Sequence, residues 1–79
     1  MKELISKIRE CEPVKMGSYY KYDEAKVENV SELIATFCFE NDYYEFLDQD
    51  VSINNLKEKS KIMLINGKGK EIIAYLQSF

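Results

Sequence analysis

Apolar positions along the chain change period several times, and each change marks an element. Between residues 2 and 11, Leu4, Ile5, Ile8 and Cys11 fall at i, i+1, i+4 and i+7. That spacing gathers them on one side of an amphipathic helix. Glu3 and Lys7 stand four apart, in the favourable order for a helical ion pair. Pro13 ends the helix, because the residue before a proline is pushed out of the α region. A helix of about three turns persists only when packed on something apolar.

Residues 14–22 are interrupted by Gly17 and Ser18, whereas Tyr19, Tyr20 and Tyr22 favour a strand at an edge or surface position. The polar stretch 23–29 reads as a turn or loop. Residues 30–48 admit two readings. As a helix, Asn29 would cap it with Glu32 as capping-box partner, and Val30, Leu33, Ile34, Phe37 and Cys38 would follow the helical period. As a strand, Leu33, Ala35, Phe37 and Phe39 alternate with Glu32, Thr36 and Glu40. A two-residue turn at Asn41-Asp42 would then set Phe39 opposite Tyr44 and Phe37 opposite Phe46. The density of Thr, Phe, Cys and Tyr tilts this segment toward sheet.

The isoleucine-rich segments 61–65 and 70–76 flank Asn66-Gly67-Lys68-Gly69 and predict a second hairpin. Both of its faces are apolar, so it needs cover on both sides, and the N-terminal helix is the evident cover. The expected fold is therefore α+β. One helix packs on a small, mostly antiparallel sheet of about four or five strands, or on an open barrel with an SH3-like or OB-like shape.

The 79 residues make one domain spanning the whole chain. A core of this size is marginal on its own, which makes completion by homodimerisation reasonable beside a monomer. Hydrophobic residues make up 46% and aromatics 13%, with a single proline, so the chain is rich enough in apolar side chains to fold. Cys11 and Cys38 stand far apart with no secretory signal before them, and no apolar run approaches membrane-spanning length. The expectation is a cytoplasmic protein with two reduced, buried thiols and no membrane contact.

Charge is segregated along the chain. Residues 1–21 carry five basic and three acidic side chains (+2), residues 22–50 nine acidic against Lys26 (−8), and residues 51–79 five lysines against Glu58 and Glu71 (+3). Segregation of this kind bears on association rather than on fold.

The chain has no histidine, so neither a Ser-His-Asp nor a Cys-His arrangement can be built. Two cysteines outside a C-x-x-C pair, with no histidine, do not supply the ligand pattern of a structural zinc site. Asn66-Gly67-Lys68-Gly69-Lys70 resembles a phosphate loop only in composition, because it leads into an apolar segment expected to be a strand. The carboxylates Asp42, Glu45, Asp48 and Asp50 lack the glycine and closing glutamate of an EF-hand loop. No catalytic residue, cofactor or metal is expected.

These features point to a small non-catalytic protein-binding module, an inhibitor, adaptor or regulator. Its expected face combines Tyr19, Tyr20, Tyr22, Tyr43 and Tyr44 with Glu40, Asp42, Glu45, Asp48 and Asp50. Such a face suits a basic partner, for instance a nucleic-acid enzyme whose substrate it mimics. Phages and other mobile elements often encode proteins of this kind, and the Lys-, Ile-, Asn-rich composition is what AT-rich coding DNA produces. The alternative is a nucleic-acid-binding small barrel using Lys57, Lys59, Lys61, Lys68 and Lys70, against which the net charge of −3 counts.

Overall fold

A computed structural model describes residues 1–41 and 52–78. The first helix, α1 (Lys2–Glu10), stands as the period predicts, burying Leu4, Ile5 and Ile8, with Cys11 buried just beyond its end. Glu3 in its first turn and Lys7 and Arg9 in its last complement the helix dipole. Beyond Pro13, β1 (Val14–Met16) and β2 (Tyr19–Lys21) pair antiparallel about a two-residue turn. Gly17 takes φ +67° there, a value that suits glycine in the first position of such a turn.

From this point the architecture departs from the expected sheet. Residues 23–29 do not form a loop. Asp23 accepts a hydrogen bond from the Lys26 amide and caps α2 (Glu24–Glu40), so helix covers residues 30–39 and displaces the expected strand. The buried positions explain the outcome. Val27, Val30, Ser31, Ile34, Ala35 and Cys38 fall at i, i+3, i+4, i+7, i+8 and i+11, an unbroken helical stripe. Leu33 and Phe39, which the alternating pattern would place inside, are exposed. The proposed partners of that strand, Tyr44 and Phe46, lie outside the described residues.

The C-terminal hairpin is likewise replaced by two helices, α3 (Ile53–Ile65) and α4 (Gly69–Gln77). Asn66-Gly67 is a helix ending rather than a strand turn. Gly67 takes φ +74°, its amide donates to the Leu64 carbonyl, and the Lys68 amide donates to the Met63 carbonyl. This is the paired closure known as a Schellman motif. Both apolar faces are then accounted for. Leu56, Ser60 and Leu64 of α3 and Ile72, Ile73 and Leu76 of α4 point inward, whereas Ile62 stays on the surface.

Among the described residues the protein is thus four helices and one two-stranded antiparallel hairpin, not a four- or five-stranded sheet, and neither an SH3-like nor an OB-like barrel. The largest interface joins α2 to α3, with α1 laid across α2 and α4. Glu28 pairs with both Lys57 and Lys61, Lys57 also feels Glu32 farther along α2, and Lys61 borders Glu24 and Ala25 at the start of α2, so these helices run antiparallel. Ile8, Ile34, Leu56, Leu64 and Leu76 are fully buried, and burial of each contributes ~1.5–3 kcal/mol.

Candidate functional site

The hairpin does little for the core yet carries large apolar side chains. Val14 and Tyr19 are each 61% exposed, and Met16 and Tyr20 each 43%. Its register is Val14↔Lys21, Lys15↔Tyr20 and Met16↔Tyr19. Because side chains alternate across a strand, Val14, Met16, Tyr19 and Lys21 share one face, and Lys15 and Tyr20 share the other.

The second face looks toward the helices. A methyl group placed on Gly67 would lie 3.8 Å from the Tyr20 ring and 3.9 Å from Pro13, so the ring faces the α3–α4 turn across a space about the size of a methyl group. Lys15 lies beside this ring as its cross-strand neighbour, and Lys68 follows the glycine beneath it. Residues 14–21 and 66–70 hold Lys15, Lys21, Lys68 and Lys70 and no carboxylate. The apolar face borders a groove of about 620 Å³, whose walls include Glu10, Glu12, Val14, Met16, Lys21 and Lys26.

The residues expected to act together are spread apart. Tyr19 and Tyr20 are exposed on the hairpin, while Tyr22 is half-buried against the core. Glu40 is exposed at the far end of α2, where it borders a shallow groove with Leu33 and Lys7 of α1. The 17 residues of α2 separate it from the tyrosines by about 25 Å at the α-helical rise. Asp42, Tyr43, Tyr44, Glu45, Asp48 and Asp50 lie outside the described residues.

The lysines of the alternative site divide as well. Lys57 and Lys61 both pair with the Glu28 carboxylate, the latter at 3.1 Å. Their hydrogen bonds hold Glu28 below its usual carboxylate range, and Glu28 in turn holds both lysines above theirs. They therefore join α3 to α2. Lys59 is exposed on α3, Lys68 is exposed next to the glycine that faces Tyr20, and Lys70 is exposed on α4, bordering a groove with Arg9 and Glu12.

Both cysteines are free and buried. Burial pushes the Cys38 thiol up to about 11 and raises that of Cys11 against the pull of Lys26, which disfavours the reactive thiolate in both. Among the described residues no three His, Cys, Asp or Glu side chains converge as they would around a metal ion. No helix among them is long and apolar enough to cross a membrane.

Val14, Lys15, Met16 and Lys21 are the surface residues that the tyrosine count overlooks. A two-residue Gly-Ser spacer between short β-prone segments is the signal that marks them. No known protein family, curated protein or solved structure matches the chain.

Proposed function

We propose that this is a non-catalytic protein-binding module and that the hairpin, residues 14–21, is its docking element. One observation carries the proposal: Val14, Met16 and Tyr19 stand together on one exposed face of a hairpin with only three residues in each strand. A lone two-stranded hairpin is marginal in water, and exposed apolar clusters mark interaction surfaces more often than scattered apolar residues do. Tyrosine and methionine are also enriched at protein interfaces. Two unpaired thiols accord with work in a reducing cytoplasm.

The test is site-specific photo-crosslinking in the native host. A photoreactive phenylalanine replaces Tyr19 in the full chain, with Ser6 on the exposed side of α1 as control. The expected result is a discrete protein adduct from position 19, none from position 6, and loss of the adduct when Met16→Lys is added to a chain that melts unchanged. Equal labelling from both positions, or an adduct to nucleic acid alone, would overturn the proposal.

A further inference from the structure

Resting on the hairpin as docking element, we infer how it binds: the outer edge of β1 takes an extended acidic segment of a protein partner as a third strand. The register supplies the first reason. Met16 and Tyr19 flank a two-residue turn and so form a hydrogen-bonded pair, as do Val14 and Lys21. Lys15 and Tyr20, the pair between them, turn their amide and carbonyl groups outward. No hydrogen bond among the described residues ends on those groups. On β2 the edge runs on through half-buried Tyr22 into the cap of α2. On β1 the outward groups of Lys15 sit between two exposed apolar side chains, Val14 and Met16, and an added strand can lie along them.

Charge supplies the second reason. Lys15, opposite Tyr20, and Lys68, next to the glycine beside that ring, put two lysines on this side of a chain whose net charge is −3, whereas Lys21 lies on the other face in the groove with Glu10, Glu12 and Asp23. A strand laid on β1 presents alternate side chains to the two faces. Apolar side chains meet Val14 and Met16, and the intervening ones meet Lys15 with Lys68 nearby, so carboxylates fit there. Lysine on a sheet edge deters pairing with like edges. Here it sets Lys15 against Lys15 in any edge-to-edge pairing of two copies, and so favours an acidic strand over self-association.

The probe is a short synthetic peptide alternating valine with glutamate, titrated into the full chain and followed by fluorescence anisotropy and by amide chemical shifts. A valine–lysine peptide and an oligothymidylate of similar length are the comparisons. The expected result is saturable binding of the valine–glutamate peptide, with the largest shifts at Val14, Lys15 and Met16. The combined Lys15→Gln and Lys68→Gln changes should weaken binding roughly tenfold. Lys15→Pro should abolish it while the Met16–Tyr19 cross-strand contacts persist, because this proline removes only an outward amide. Equal affinity for the valine–lysine peptide, full binding by the proline variant, or tighter binding of oligothymidylate would overturn the inference. A protein adduct at position 19 without peptide binding would overturn strand addition alone. Absence of that adduct would remove the docking role itself.

Discussion

Ser60 shows how a single polar atom can conceal a helix face. It lies fully buried between Leu56 and Leu64 on α3, and its hydroxyl has no hydrogen-bond partner among the described residues. Ser31 is buried on α2, but its hydroxyl donates to the Glu28 carbonyl at 3.0 Å. Removing a buried hydroxyl that bonds to nothing relieves its desolvation penalty, so Ser60→Ala should stabilise the protein by ~1 kcal/mol. For a domain of this size that corresponds to a rise of roughly 4–8 °C in Tm. Ser31→Ala should fall well short of that gain, and thermal melts of the two variants check the contrast. Both serines also occupy core positions where the eye looks for apolar residues, which broke the helical stripes in the sequence. Gly67 misled differently. Left-handed backbone after an asparagine serves a hairpin turn and a helix ending equally well, and what distinguishes them is the buried set on either side.

Among the elements, α1 and the exposed strand at Tyr19 were legible because each has one clear period or a strong local preference. The α2 and α3–α4 segments were not, since apolar residues occur on more than one side of each helix. Leu33, Phe39 and Ile62 are exposed, and they complete the alternation that imitates strands. The Asp23 cap was readable, but it stood inside a stretch that looked like a loop. The candidate site was legible only in Tyr19 and Tyr20, because the lysines beside them come from segments far apart in the chain. The α2–α3 pair also carries a test in pH. Lys57 and Lys61 hold the Glu28 carboxyl below its ordinary 4.5, so this contribution is present above that value and is lost as pH falls through the folded-state value. Glu28→Gln should therefore lower Tm slightly at neutral pH, and the gap to wild type should close in acid. It should also shrink in high salt, as expected for exposed pairs. Melts across pH and salt decide the matter, and a gap that survives in acid would assign the effect to packing.

At the scale of the whole molecule, the hairpin and its lysines occupy one end, and the exit of α2 toward the acidic segment occupies the other. The core between them depends on elements drawn from both ends of the sequence. Gly69, where α4 begins, would place a side chain 3.3 Å from Ile8 of α1, so the two helices meet closely there. A chain ending at Lys68 lacks Ile72, Ile73 and Leu76, each worth ~1.5–3 kcal/mol of burial, against the ~3–5 kcal/mol such a small core supplies. Its circular dichroism should show lost helicity and no cooperative melt.

The contact of Ile8 with Gly69 also bears on the order of events at the ribosome. The amphipathic α1, which precedes the other three helices in the chain, cannot take its final seat until α4 has been translated. Until then Leu4, Ile5 and Ile8 lack their full cover, the condition under which nascent chains recruit chaperones or aggregate. The α2–α3 pair needs nothing beyond Ile65, whereas α1 completes its cover only once translation has passed Gly69.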